Sequence, residues 1–147
     1  MNALTAPTPA PVRDLALLVA RIGLGIVLLT HGIDKLRAGF GATADGFDAM
    51  GIPLPAAAAG FALVAEIGGG ALLVLGLLTP LAGILVIAQM AGAYWFAHRG
   101  TEVMSANGGW ELVGLIAFLA LVIGATGAGR FSLDALIGRR TAASATA

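Results

Sequence analysis

The stretch that decides the fold is AAAAGFALVAEIGGGALLVLGLL, Ala56 to Leu78, an apolar run that contains one acid, Glu66. About 20 mostly apolar residues are enough for a helix to span the hydrocarbon of a bilayer, and this run is that long. Thr79 and Pro80 follow it, and a proline ends one helix and can open the next. The run is therefore predicted to form one arm of a tight antiparallel hairpin of membrane helices.

The composition extends this interpretation to the whole chain. Of the 147 residues, 59% are hydrophobic and 11% are charged, and the mean hydropathy is +0.95. Soluble domains carry about 25% charged residues, so this chain has too little polar surface to cover a water-soluble globule. Its formal net charge of zero gives no electrostatic footprint for nucleic acid. The absence of cysteine excludes disulfides, thiolate metal sites and CxxC redox chemistry.

Four segments are predicted to cross the membrane, which gives an all-α integral membrane protein built as a four-transmembrane-helix bundle. In chain order the segments are residues 15–30, 56–78, 81–97 and 112–127. No A-x-A-like cleavage site follows the first segment, so we expect it to be retained as a span. The membrane domain is predicted over residues 15–137, between a flexible N-terminal tail (1–14) and a disordered C-terminal tail (138–147).

An even number of spans places both termini on the same side of the membrane. The cations on that side are Arg13, Arg130, Arg139 and Arg140, and those of the opposite loops are Lys35, Arg37 and Arg99. The positive-inside rule then favours cytoplasmic termini for a multi-pass protein of the bacterial cell membrane.

The first outer loop, residues 31–55, is too long for a simple connection. Thr43 can cap a short amphipathic helix within it, with Phe47 and Met50 on one side and Asp45 and Asp48 on the other. Such a segment would lie at the membrane surface, over the mouth of the bundle. The alternative is an irregular loop that happens to contain apolar residues.

Glu66 is expected to face other helices. It lies at helical spacing with small residues, Ala58, Ala62 and Gly69/Gly70, and a stripe of small residues lets helices approach closely in lipid. A charge at the centre of a membrane helix costs about 2.5–3.5 kcal/mol on the insertion scale. Intramembrane ionisable residues therefore usually find a partner and mark a functional site.

Arg21 is the predicted partner of Glu66. Arg21 lies about six residues into the first span and Glu66 about ten residues into the second, from opposite faces, so their depths differ by only several ångströms. Gln89, midway along the third span, can join them, and Arg21 shares a small-residue helix face with Gly25, Leu28 and Gly32. The pair either fixes helix register or belongs to a polar pocket for a small ligand or a proton-handling carboxylate, which the membrane setting favours.

A second polar cluster is predicted at the outer ends of the spans. Its members are His31, Lys35, His98, Arg99, Trp110 and Glu111. Two histidines from separate helices can hold a haem, and histidine with carboxylates can hold a metal. Neither histidine has another histidine or a cysteine three or four residues away, so no metal is assigned, and roles at the pocket mouth or at the interface, with Trp110 as an anchor, are favoured.

Five motifs in order resemble the DoxX family of small bacterial membrane proteins over residues 21–134. They are RIGLGIVLLTHGIDKL, GIPLP, AEIGGGALLVLGLLT, GGWEL and TGAGRFSLD. The resemblance implies a four-helix membrane bundle, and Arg21, His31, Lys35, Glu66 and Glu111 fall in the family's characteristic segments. It also implies an association with redox work, because some relatives are described as subunits of a thiosulfate:quinone oxidoreductase and others as partners of detoxifying enzymes in oxidative stress.

The leading hypothesis is a redox-linked subunit that binds a quinone or a similar lipophilic small molecule and works with a partner redox protein. In it Glu66 handles protons, and the substrate-binding residues are Arg21, Gln89, His31, Lys35, His98, Trp110 and Glu111. A non-enzymatic scaffold that recruits a partner enzyme, and a small transporter, remain alternatives. A homo-oligomer in the lipid bilayer is expected. The chain has no nucleotide loop, nucleophile elbow or HExxH motif, so whether it is an enzyme stays open.

Overall fold

The structure is a computed structural model that describes residues 7–145, and it confirms the all-α class. The regular structure of those residues is helical. The main helices are α1 (Ala10–Ala38), α2 (Phe40–Ala49), α3 (Pro55–Leu75), α4 (Thr79–His98), α5 (Glu111–Thr126) and α6 (Leu133–Ala145).

Three of these helices, α1, α3 and α4, are long and apolar enough to cross a membrane. Helix α5 is equally apolar in character but has 16 residues, which corresponds to a length of about 24 Å. The protein is therefore a membrane protein with three candidate spans and one shorter apolar helix at the place of the predicted fourth.

Helix α1 is longer than predicted at both ends. It includes residues 10–14 of the predicted tail and continues past Thr30 to Ala38, where Gly39 adopts a φ of 96° and ends it. The prediction followed hydropathy, which falls at His31 and Asp34, whereas the backbone continues as a helix until a glycine allows the turn. Residues 1–6 of the predicted tail lie outside the described residues.

Two further predictions about local structure are corrected. Helix α6 includes residues 138–145, which were predicted to be disordered, while residues 146 and 147 lie outside the described part of the chain. In the segment that was predicted to be the first outer loop, α2 begins directly after Gly39, so Thr43 lies inside the helix and is not its N-cap. The Thr43 hydroxyl instead donates to the carbonyl oxygen of Gly39 at 3.1 Å.

Glycines set how closely the helices pack. The predicted face of Arg21, Gly25, Leu28 and Gly32 is buried, as expected. A Cβ at Gly25 would lie 2.7 Å from the carbonyl oxygen of Gly70, so α1 and α3 touch backbone to backbone. Close contact between backbones replaces the hydrophobic drive that is missing in lipid. The apolar core between the helices includes Leu24, Leu28, Leu73, Val86, Met90, Ile116 and Ile123.

The turn between α3 and α4 depends on a residue far along the chain. Helix α4 begins at Thr79 after Leu78, which has a left-handed backbone with φ 48°, and no side chain of its own segment caps it. The Asp134 carboxylate accepts hydrogen bonds from the backbone N–H of Leu78 at 2.9 Å and of Thr79 at 3.1 Å. Asp134 thus satisfies the first free amides of α4 in the way an N-cap residue does.

Candidate ligand-binding site

Glu66 lies in an irregular part of α3. Residues Val64–Gly69 form a π-helical turn, and such turns occur frequently at functional sites because they displace the backbone from the regular helical pattern. The residue is buried, with 4% of its surface exposed. Helix α1 comes close at this point because Gly32 has no side chain, and a Cβ there would lie 3.1 Å from the Glu66 Cβ.

Glu66 joins three helices through one of its carboxylate oxygens. Oε1 accepts a hydrogen bond from Lys35 Nζ on α1 at 2.7 Å and one from Gln89 Nε2 on α4 at 2.6 Å. Within residues 7–145, the other oxygen, Oε2, is buried and accepts no hydrogen bond. The prediction that Gln89 meets Glu66 is confirmed, and Lys35 supplies the positive charge.

The predicted Arg21–Glu66 pair is wrong. Lys35 takes that place because α1 continues beyond Thr30 and carries Lys35 to the level of Glu66. Arg21 lies 14 residues earlier on the same helix, about 21 Å along its axis. The estimate of depth failed because it took the loss of hydropathy after Thr30 as the end of the helix.

Arg21 instead holds the opposite end of the bundle together. Its fully buried guanidinium donates to the carbonyl oxygens of Leu73 at 2.8 Å, Val74 at 3.2 Å and Phe131 at 2.7 Å. Leu73 and Val74 belong to the last turn of α3, where carbonyls lack the amide partners of a continuing helix, although the Leu73 carbonyl also accepts from the N–H of Gly76 at 3.2 Å. Arg21 therefore ties the end of α3 and the segment before α6 to α1.

Asp134, next to this cluster, makes the stability of the fold depend on pH. Burial by itself would raise the pKa of Asp134, but the hydrogen bonds from Thr79 and Leu78 and the nearby Arg21 guanidinium outweigh it and hold the pKa below the usual range. A carboxylate whose pKa is lowered by folding stabilises the native state above its unfolded pKa, and this contribution disappears as the pH falls through the folded pKa.

We therefore expect the melting temperature in detergent to fall as the pH decreases from about 5 to about 2, and Asp134→Asn to remove much of that fall. At neutral pH, the same variant keeps one acceptor oxygen but loses the hydrogen bonds at the other and the charge near Arg21, so it should be less stable by about 0.5–1.5 kcal/mol, the net contribution of a hydrogen bond. Asp48→Asn, at an exposed position on α2, is the control. If Asp134→Asn and wild type show the same dependence on pH, the cap assignment is wrong.

A cavity of about 260 Å³ lies beside the Lys35–Glu66–Gln89 cluster. Lys35 and Gln89 are part of its wall, and most of the remaining wall is apolar, including Phe47, Phe61 and Phe96. Phe47 comes from α2, so α2 forms one wall of the cavity. An apolar cavity with a few polar groups at one end is the usual form of a small-molecule site.

The other predicted site residues lie elsewhere. His31 is exposed and lines a separate open groove with Asp34 and Lys35. His98 Nδ1 is 2.9 Å from the carbonyl oxygen of Gly108, and the Trp110 ring packs edge-on against Tyr94.

Glu111 accepts hydrogen bonds from the backbone N–H and the hydroxyl of Ser105. His98, Trp110 and Glu111 therefore order the loop between α4 and α5. None of the three is among the residues that line the 260 Å³ cavity.

Sequence reasoning missed the phenylalanines of the cavity and the role of Asp134. The signal for Phe47 was present, because it lay on the apolar side of the predicted amphipathic segment. Phe61 and Phe96 carry no distinguishing pattern, since an aromatic residue within an apolar span is equally suited to face lipid.

The comparisons with known proteins agree with the helical membrane architecture. The DoxX family model matches residues 16–99. The chain is 33% identical over 129 residues to "Inner membrane protein YphA" of Escherichia coli (strain K12), covering 83% of this chain and 90% of that protein. It is also 33% identical over 117 residues to an "Uncharacterized protein" of Haemophilus influenzae, covering 78% of this chain and 84% of that protein. No solved structure matches significantly. The chain belongs to the DoxX family.

Proposed function

We propose that this protein is a membrane subunit that holds a quinone or a similar lipophilic ring in the cavity between α2, α3 and α4, and that it serves a partner redox protein. The observation that carries the proposal is the position of the Lys35–Glu66–Gln89 cluster at the polar end of an apolar cavity. Quinones present an apolar ring with polar oxygens at its edge, which is the complement of such a site.

In the proposed function, Glu66 positions the two polar side chains of the cavity wall. Its carboxylate fixes the Lys35 ammonium and the Gln89 amide, the two polar groups that reach the cavity wall. Side chains that are held in place before the ligand arrives lose less conformational freedom on binding. Glu66 does not itself line the cavity. It therefore positions both polar groups, and any proton that it exchanges with a bound ligand passes through one of them.

The proposed topology has four crossings with cytoplasmic termini, and α5 is the fourth. Its length of about 24 Å is short for a hydrocarbon core of about 30 Å, and local thinning of the bilayer can accommodate that difference. Trp110 directly precedes α5, where an aromatic residue anchors a span at the interface. The cavity would then lie toward the outer leaflet, with Arg21 and Asp134 near the cytoplasmic face.

Glu66→Gln is expected to weaken the binding of duroquinone, supplied in either redox form, by about tenfold or more, because an amide no longer holds Lys35 by charge. The fold should survive, because the Lys35 side chain is 25% exposed and its ammonium can turn toward water. Equilibrium dialysis of the purified protein in mild detergent, without oxygen, measures the affinity, and a thermal melt reports the fold.

Glu111→Gln is the matched control. It makes the same chemical change at a carboxylate that binds Ser105 and is not part of the cavity wall, so it should leave the affinity unchanged. Equal affinities for wild type and Glu66→Gln would contradict the role of Glu66. Failure of the wild-type protein to bind either redox form would contradict the proposed function.

A further inference from the structure

The polar end of the cavity presents a hydrogen-bond acceptor as well as donors. Glu66, ion-paired with Lys35, is acceptor-only, so the Gln89 amide must turn its NH₂ group toward the carboxylate, as observed at 2.6 Å. This leaves Gln89 Oε1 facing away from Glu66. That atom is buried and receives no hydrogen bond from any residue between 7 and 145.

Lys35 provides the complementary groups. Its ammonium carries three N–H donors, and one hydrogen bond to Glu66 accounts for one of them. Lys35 and Gln89 both line the cavity, and within residues 7–145 Gln89 Oε1, although buried, is an acceptor without a donor. A buried acceptor that a ligand leaves unpaired lowers the affinity of that ligand.

A hydroxyl group fits this pair better than a carbonyl group. A hydroxyl oxygen accepts a hydrogen bond from Lys35 while its proton is donated to Gln89 Oε1. A carbonyl oxygen can only accept, so it pairs with Lys35 and leaves Gln89 Oε1 without a donor. The two redox forms of a quinone differ in this respect, because the reduced form carries hydroxyls where the oxidised form carries carbonyls.

The rest of the cavity selects an aromatic body for that hydroxyl. Phe47, Phe61 and Phe96 line the wall, and aromatic rings pack favourably against one another. An engineered protein cavity of about 150 Å³ binds benzene. The volume of about 260 Å³ in this protein is therefore sufficient for a single ring with several substituents.

We propose that the cavity recognises a hydroxyl group on an aromatic ring and so binds a quinol in preference to the corresponding quinone. The inference rests on the proposed function and adds the redox form of the ligand to it. It concerns binding alone. Preferential binding of the reduced form favours release of an oxidised ring from the site.

The test compares three probes that share one ring: duroquinone, durohydroquinone and the dimethyl ether of durohydroquinone. Equilibrium dialysis in mild detergent, without oxygen, measures the affinity of the wild-type protein for each. We expect durohydroquinone to bind about tenfold more tightly than duroquinone, the effect of one additional hydrogen bond to a buried group. The dimethyl ether, which has no O–H donor, should show no such advantage.

Gln89→Leu removes the acceptor and should make the affinities for the two redox forms equal. Gln89→Met, which keeps an unbranched side chain, serves the same purpose if the leucine variant does not fold. In contrast, Phe118→Ala, at an exposed position outside the cavity, should keep the wild-type preference.

The possible failures are distinct. Equal affinities of the wild-type protein for durohydroquinone and duroquinone would overturn the inference and leave the proposed function standing. If the wild-type protein binds neither durohydroquinone nor duroquinone, both the inference and the proposed function are overturned. Displacement of durohydroquinone by an equal concentration of monoolein would assign the hydroxyl to a membrane lipid and overturn the aromatic assignment.

Discussion

Arg21→Met is expected to lower the stability of the protein by about 3–5 kcal/mol and its melting temperature by about 10 °C. The side chain is fully buried and donates to the carbonyl oxygens of Leu73, Val74 and Phe131. Methionine fills much of the same volume but donates nothing. The three carbonyls belong to the backbone and remain after the substitution. The Leu73 carbonyl keeps its hydrogen bond from the Gly76 N–H at 3.2 Å, but the carbonyls of Val74 and Phe131 lose the donor that Arg21 supplied, at about 1–3 kcal/mol each.

The control for this prediction is Arg130→Met, which removes an exposed arginine that stacks on the Phe131 ring, 5.3 Å from its centroid. This change should cost less than about 1 kcal/mol. Thermal melts in the same detergent compare the two variants. A melting temperature for Arg21→Met within a degree or two of wild type would contradict the structural role of Arg21. If the folded fraction of this variant binds the ligand with normal affinity, Arg21 contributes to stability and not to binding.

Gly25→Ala is expected to destabilise the protein by about 1–3 kcal/mol or more through overpacking. The added Cβ would lie 2.6 Å from Val74 Cγ2 and 2.7 Å from the carbonyl oxygen of Gly70. The valine side chain can rotate, but the carbonyl belongs to the backbone of α3 and cannot move without separating α1 from α3. That separation would also disturb the hydrogen bonds of Arg21 to the end of α3.

Gly23→Ala is a matched control on the same helix. A Cβ there would meet no atom of the described residues within 4 Å, and alanine favours a helix over glycine by about 0.5–1 kcal/mol. Gly23→Ala should therefore melt at or slightly above the wild-type temperature, whereas Gly25→Ala melts lower. Equal melting temperatures for the two variants would show that the close approach at Gly25 does not hold the helices together.

The sequence allowed the helices and their packing faces to be predicted because both depend on local patterns. Hydropathy located α1, α3 and α4, and small residues at helical spacing located the buried face that contains Gly25 and Gly32. The ends of the helices were predicted less accurately. Helix α1 continues to Ala38 through polar residues that a hydropathy profile takes as loop.

The site was predicted in part for the same physical reason. A carboxylate in an apolar span needs a partner, so a contact between Glu66 and other polar side chains followed from the sequence. The identity of the cation did not follow, because it depends on the register between α1 and α3 and on the π-helical turn at Val64–Gly69. The partners of Arg21 are backbone carbonyls, which every residue possesses and no sequence pattern distinguishes.

Photoaffinity labelling of the purified protein with an aryl-azide derivative of duroquinone, followed by peptide mapping, tests the central claim most directly. If the cavity holds the ligand ring, the label attaches within residues 47–62 and 88–97, which form its wall around Gln89. Excess duroquinone should suppress that labelling. Attachment to the groove between α4 and α5, which Tyr94, Trp110 and Phe118 help to line, with none at residues 47–62, would contradict the account.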